Sequence, residues 1–319
     1  MSDGSFLVTG SEGCIGSWVV KKLVERGERC VALDRATGAT RLREILDEER
    51  IREVSFVSGD IVDGALLSRV VADHGVTRII HLAALQIPFV AADPVRGAMV
   101  NVVGTTVVLD TARRFPDQIE NVVYASSAAV YGQAGAERKP TTLYGVFKVC
   151  NEDSAAIFWR DHRVSSVGLR PWAVFGPGRD QGLTAAPTHA MKAAALAIPY
   201  RIPFTGRINL QYAEDVADLF IRAALAASRD AVVCNLPGSV VEMAEVVAAI
   251  EEVRPEARGL VTHGGEPLPI EADLADDDLK ELVGDVPQTD LRAAVEKTIE
   301  HFAELRRAGR LDPSALLAS

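Results

Sequence analysis

From the N-terminus to about residue 130, short apolar runs alternate with longer stretches whose apolar residues recur at helical spacing. The short runs are Phe6–Thr9, Cys30–Leu33, Val54–Val57, Arg78–Leu82 and Asn121–Ala125. Between the first two, Ile15, Val19, Val20, Leu23 and Val24 mark one face of a helix that ends at Gly27. Asn101–Arg114 reads as another helix. Short strands that are apolar throughout, separated by helices, predict a parallel sheet covered on both faces. Right-handed crossovers make such a sheet doubly wound. The second half is less regular. Tyr144–Arg160 reads as a helix and Val164–Leu169 as a strand, followed by Arg170-Pro171 and a glycine-rich loop, Gly176–Gly182. Ala185–Ala197, Asp215–Ala227, Met243–Val253 and Thr289–Arg307 read as helices, and a loose tail is expected from Ala308.

The chain has 319 residues, 48% hydrophobic and 24% charged, enough for a large buried core in an ordinary soluble protein. Its formal net charge of −10 argues against nucleic acid or an anionic membrane as partner. A small-molecule substrate is expected instead, and local arginines still allow that substrate to be anionic. Cys14, Cys30, Cys150 and Cys234 are too scattered for a metal or CxxC site and read as reduced thiols. The six histidines have no metal-binding spacing either, so no metal is expected. The acidic run Glu271–Glu281 reads as a solvated loop or helix face. The opening MSDGSFLVTG lacks a basic n-region, and no apolar stretch is long enough to span a membrane. The expected location is the cytoplasm.

Gly10, Gly13 and Gly16 lie between the first strand and the first helix. Glycines at this spacing permit a tight turn and a close approach to a pyrophosphate, which the helix N-terminus attracts. Cys14 and Ile15, inside the motif, would share that contact. The triplet alone is a weak signal; strand before, helix after and an acid closing the second strand strengthen it. That acid is Asp34, placed to accept from ribose hydroxyls and repel a 2′-phosphate, which favours NAD. Arg35 beside it could pair with that phosphate and keeps NADP open. Asp60-Ile61, past the third strand, could reach the adenine edge. These features define a Rossmann domain over 1–175, with a small, mainly substrate-binding C-terminal lobe over 176–319 whose segment at about 208–240 returns to the first domain.

Tyr144 and Lys148 stand at i and i+4, on one helix face. A neighbouring ammonium, together with an oxidised nicotinamide, favours the phenolate of a tyrosine whose ordinary pKa is about 10. Tyr144 could then take the proton of a substrate hydroxyl as hydride leaves, or return it in the reverse direction. Lys148 would also bond the nicotinamide ribose. Ser126 and Ser127, at the end of the preceding strand, could bond the substrate oxygen, or could be strand-end turn residues; the pattern alone does not choose between them.

Together these pieces resemble the extended short-chain dehydrogenase/reductase family, also called the NAD-dependent epimerase/dehydratase family. The matching segments are TGSEGCIG from Thr9, Asp34, GDI at 59–61, HLAAL at 81–85, Asn101, SSAAVYG at 126–132, YGVFK at 144–148, RPWAVFGPG at 170–178 and EDVA at 214–217. The resemblance implies Ser127 as the catalytic hydroxyl beside Tyr144 and Lys148. It implies Leu82, Ala83, Ala84 and Asn101 near the cofactor, and the backbone after Arg170-Pro171 near the nicotinamide carboxamide. It also implies a homodimer through the helices around 101–114 and 144–160.

Two departures narrow the chemistry. Ala128 and Ala129 stand where the family's dehydratases carry an Asp-Glu pair, which argues against dehydration. Ala173 stands where its nucleotide-sugar epimerases carry an asparagine, and the Arg-Asp pair that they place before the DVA helix is missing here. Arg207 could substitute from one position away. Each lost charge-assisted bond to a diphosphate is worth about 1.5–3 kcal/mol, which favours a substrate without a nucleotide. Gln86, Arg179, Gln181, His189 and Arg207 are the polar candidates to line a pocket for a sugar, sugar acid or small polyol. Trp172 could stack on a sugar face but reads better as core, and His81 as a satisfied structural histidine. The expected activity is hydride transfer between a secondary or hemiacetal hydroxyl and the nicotinamide. The alternatives are a UDP-hexose 4-epimerase with tightly held NAD and a non-catalytic NAD(P)-binding regulator.

Overall fold

The computed structural model describes residues 4–132, 137–286 and 288–311. Beyond residue 311 the expected tail lies outside the described residues. In chain order the strands are β1 (Ser5–Thr9), β2 (Arg29–Asp34), β3 (Ser55–Ser58), β4 (Val76–His81), β5 (Asn121–Ala125), β6 (Ser166–Arg170), β7 (Ala173–Phe175), β8 (Tyr200–Ile202), β9 (Arg207–Tyr212), β10 (Ala231–Asn235), β11 (Ser239–Glu242) and β12 (Val261–His263).

Seven of them form one sheet in the order β10-β6-β5-β4-β1-β2-β3. Every pairing in it is parallel, from Leu7 opposite Val31 to Val233 opposite Gly168. Side chains alternate between the faces with period two. Phe6, Val8, Cys30 and Ala32 enter one core, with Trp18 and Leu23 of helix Cys14–Glu25 and Phe220 of helix Ala213–Leu225. Leu7, Val31 and Leu33 enter the other, with Leu67, Val108 and Ala155 from helices Gly64–His74, Gly104–Arg114 and Leu143–His162. This is the expected α/β sheet, doubly wound, with helices on both faces. The chain crosses over at β1, which pairs with β2 on one side and β4 on the other. Ligands bind at such a switch point, beyond the strands' carboxyl ends.

The later strands build smaller sheets, β11-β9-β7 and β12-β8. Helices Ala186–Leu196, Met243–Val253 and Leu291–Arg307 close over them around Phe175, Met191, Phe204, Ile250 and Phe302. Between these parts the chain returns to the large sheet: helix Ala213–Leu225 lies against helix Cys14–Glu25, and β10 forms the sheet edge.

One helix differs from its expected form. The segment read as starting at Asn101 begins at Pro94, passes through a π-helical turn at Met99–Val103 and continues as Gly104–Arg114. Its periodicity shifts through the wider turn, so the apolar spacing marked only the regular part. Asp277–Val283, within the acidic run, is a short helix. Among the described residues no cluster suits a metal ion, and no helix is long and apolar enough to cross a membrane.

Candidate functional site

The loop after β1 has no room for side chains at two glycines. Gly10 has φ +72°, and a Cβ there would stand 2.5 Å from the Ala83 nitrogen. A Cβ on Gly16 would stand 2.1 Å from the Gly10 carbonyl. Gly13 is the N-cap of helix Cys14–Glu25 and places no side chain over its first N–H groups, those of Cys14, Ile15 and Gly16. The result is an open cradle at a helix N-terminus, which suits a pyrophosphate. Asp34 closes β2 at the rim; its carboxylate accepts from Glu12 N at 3.1 Å and Arg35 N at 2.7 Å. Arg35 is exposed beside it. The residues fit a dinucleotide. Asp60 is an exposed turn residue whose carboxylate accepts from Val62 N at 3.3 Å, and Ile61 is buried in the core against the helix that starts at Gly104.

Leu82, Ala83 and Ala84 follow β4 and are half-buried along the same cradle. Asn101 is buried, and its amide clamps this segment: Oδ1 accepts from Leu85 N at 2.7 Å and Nδ2 donates to Leu85 O at 2.9 Å. It therefore shapes the cofactor loop, and its side chain is spent on that loop. His81 is structural, as expected. Its ring nitrogens meet Thr9 Oγ1 at 2.7 Å and Thr105 Oγ1 at 3.1 Å. Burial, helped by the Lys148 charge, pushes its pKa down to about 3, so it stays neutral.

At the end of β5 the two serines separate. Ser126 is buried and donates to Glu152 Oε1 at 2.5 Å. Ser127 caps the next turn, accepting from Ala129 N at 3.1 Å, and faces the Tyr144 phenol. Lys148 lies 3% exposed with Nζ 5.4 Å from the centre of the Tyr144 ring, and donates to the Ala125 carbonyl at 2.5 Å. The expected phenolate is not favoured in the protein alone. Burial raises the Tyr144 pKa above its ordinary value, against the lowering effects of Ser127 and of the Arg179 charge. Burial also lowers Lys148 to about 8, with Glu152 opposing. This gives a stability prediction. Between pH 8 and the ordinary lysine value of 10.5, the unfolded chain holds the Lys148 proton and the folded one does not. The Lys148 contribution to stability therefore rises with pH across that window. Denaturant unfolding of wild type and Lys148→Met at pH 8.5 and 10 (about half a unit inside each limit) should show the difference between them changing in that direction.

Sequence reasoning missed the group behind these residues. Arg170, closing β6, grips Glu152 through Nε and Nη2, both at 2.7 Å, and donates from Nη1 to the Tyr131 hydroxyl at 2.5 Å. Tyr131 donates on to Asn235 Oδ1 at 2.9 Å. Glu152 follows Lys148 by one further helical turn, and that spacing was the available signal. Pro171 is buried, and its carbonyl accepts from Ala128 N at 2.9 Å.

The loop after β7 roofs the site. Trp18 Nε1 donates to the Pro177 carbonyl at 2.9 Å. Arg41 bonds the Glu12 carbonyl at 2.7 Å, the Gly178 carbonyl at 3.2 Å and both oxygens of Asp180, at 2.8 and 2.7 Å. One guanidinium thus ties the glycine loop to the segment bearing Arg179. Arg41→Ala is expected to weaken NAD binding and raise the substrate KM together, each by about 10-fold, with kcat nearly kept. NAD titration and steady-state kinetics check this.

The proposed pocket residues divide. Gln86 accepts from Arg179 Nη1 at 3.4 Å, so the structure brings these two together. Gln181 is exposed on the same loop. His189 meets the Tyr200 hydroxyl at 3.4 Å; burial lowers its pKa, with a bond to the Asp180 backbone opposing. Arg207 points elsewhere: 57% exposed, it pairs with Asp273 at 3.4 Å. Trp172 is anchored in the core, donating from Nε1 to the Glu271 carbonyl at 2.7 Å.

A glycine cradle at a switch point, with a Ser, Tyr and Lys cluster beside it, defines a dinucleotide-dependent enzyme of the short-chain dehydrogenase/reductase kind. The NAD-dependent epimerase/dehydratase family matches residues 6–235, and the chain belongs to it. A UDP-glucose 4-epimerase of Azospirillum brasilense is 29% identical over 314 residues, covering 89% of this chain and 87% of that protein. Among solved structures, MoeE5 in complex with UDP-glucose and NAD superposes with TM-score 0.78 at 26% identity, covering 96% of this chain and 99% of the other. A monomeric L-threonine 3-dehydrogenase from a metagenome superposes with TM-score 0.79 at 21% identity, covering 94% and 99%.

Proposed function

We propose that this protein is an NAD-dependent dehydrogenase acting on a secondary or hemiacetal hydroxyl of a sugar, sugar acid or small polyol that carries no nucleotide. NAD, bound over the glycine cradle, supplies hydride acceptance. The substrate lies between the Rossmann body, 1–175, and the lobe that begins at 176. Ser127 orients the reacting hydroxyl, and Tyr144 takes its proton at the phenol oxygen. Lys148, bonded to the Ala125 carbonyl, holds positive charge beside the Tyr144 ring. Asp34 receives the adenosine ribose.

One observation carries the choice against a nucleotide sugar. The two positions compared with a diphosphate site suit one poorly: Ala173 is apolar and buried within β7, and Arg207 pairs with Asp273 at the surface. The similarity to a UDP-glucose 4-epimerase supports a second reading, in which C4 of a UDP-hexose is oxidised and re-reduced on retained NAD. Denaturing the purified protein and measuring released nucleotide separates them. A dehydrogenase exchanges its cofactor and releases little, whereas stoichiometric NAD with UDP-hexose interconversion establishes the epimerase.

The active form is read as a homodimer. Met99 and Val103, just ahead of helix Gly104–Arg114, are exposed, as are Val146 and Ile157 of helix Leu143–His162, which packs beside it. An apolar helical face of this kind suits a second copy of the chain. Sedimentation equilibrium should give a dimer mass; a monomer at micromolar concentration contradicts it.

A further inference from the structure

Among the described residues, Arg179 is a cation without an ion-pair partner. Its Nη1 donates to the Gln86 amide oxygen, at 3.4 Å, and its Nη2 to the Thr184 hydroxyl, at 2.9 Å. Its Nε is enclosed and has no hydrogen-bond acceptor among the described residues. The neighbouring carboxylate, Asp180, is engaged by both bonds from Arg41, and no carboxylate forms an ion pair with Arg179 among the described residues. A half-buried guanidinium held by neutral oxygens has its lost hydration only partly replaced, and an incoming anion adds the missing charge. Gly182, at φ +81°, faces both partners, and a Cβ there would stand 3.0 Å from Gln86 Oε1 and 3.8 Å from Arg179 Nη2. Arg179 is also close enough to Tyr144 for its charge to act on the phenol. Its charge also acts on Cys14, at the start of the cradle helix, so Arg179 stands between the cofactor loop and the Tyr144 phenol.

We infer that the substrate carries a carboxylate, and that Arg179 binds it with Gln86 and Thr184 as neutral flanking groups. The planar fork of a guanidinium matches a carboxylate's two oxygens. A substrate acid also suits a protein whose surface is otherwise acidic, since recognition is confined to one local cation. This deepens the dehydrogenase reading and rests on it for the location of the reacting hydroxyl.

The test uses matched pairs: D-glucuronate and D-galacturonate against D-glucose and D-galactose. Calorimetric binding to the NAD-loaded protein is measured with wild type and Arg179→Gln, alongside NADH formation. The acids should bind at least 10-fold tighter than their neutral partners, and Arg179→Gln should lose about 10- to 100-fold for the acids alone. NAD affinity of the variant, measured separately, should be unchanged, which also shows that it folds. Acid-selective binding lost in Arg179→Gln upholds the inference even where no NADH forms, an outcome that would sink the dehydrogenase reading alone. Equal binding of acids and neutral sugars, or no binding of either acid, overturns it. So does a variant that loses NAD affinity, which would make the cofactor's pyrophosphate the counter-ion.

Discussion

Tyr144→Phe is expected to lower kcat by about 10²- to 10⁴-fold, the usual size of a general acid–base contribution. The substitution removes one oxygen, the one facing Ser127, and keeps the aromatic ring beside Lys148. Packing, the Lys148 bond to Ala125 and the glycine cradle are all left in place. NAD affinity should therefore stay within about twofold of wild type, and the loss should fall on kcat and kcat/KM alike. Single-turnover kinetics at saturating NAD measures it. Burial raises the phenol's pKa in the protein alone, so the proposed proton transfer would draw on the charge of an oxidised cofactor. Turnover in the variant close to wild type would remove Tyr144 from the chemistry and restore the reading of a non-catalytic NAD-binding regulator.

The largest effect on stability is expected at Glu152. Glu152→Ala strips the counter-charge from Arg170, leaves Ser126 without its acceptor and removes the nearest negative group opposing the burial of Lys148. Breaking one side of a buried ion pair costs about 3–5 kcal/mol, a large share of the roughly 5–15 kcal/mol that holds a typical domain together. Thermal and denaturant unfolding should show a large drop. Glu152→Gln can still accept from Ser126, so it should lose less. In both variants Lys148 should titrate below the wild-type value of about 8, because the charge that raised it is gone. A wild-type melting temperature in Glu152→Ala would show that this ion pair does not hold the ends of β5 and β6 together.

How far these features could be read from the chain follows from how local their causes are. Parallel strands buried on both faces leave continuous apolar runs, and the five expected in the first half fall on β1 to β5. Gly16 signals itself because the space it leaves is set by the Gly10 backbone six residues before it, and Gly10 because its positive φ belongs to the local turn. Helix Met243–Val253 begins and ends where its periodicity does. The misses have long-range causes. β7, β8 and β12 have three residues each and exist because of their partners. The bond between the Asn101 amide and Leu85, which shapes the expected cofactor loop, depends on a π-helical turn that the spacing does not announce. Arg207 looked like a replacement for a missing diphosphate ligand until Asp273, far along the chain, claimed it. Nothing in the spacing joins Glu152 to Arg170, and only the meeting of β6 with helix Leu143–His162 makes them one buried unit.

The most direct test of the account is reduced-nicotinamide absorbance on mixing purified protein and NAD with free aldoses, uronates, polyols and simple secondary alcohols, with UDP-glucose and UDP-galactose on the same plate. The account predicts stoichiometric NADH with a free hydroxylated compound and none with either UDP-sugar. Silence across the free compounds, with UDP-glucose and UDP-galactose interconverted without net NADH, would contradict it and make the protein a 4-epimerase.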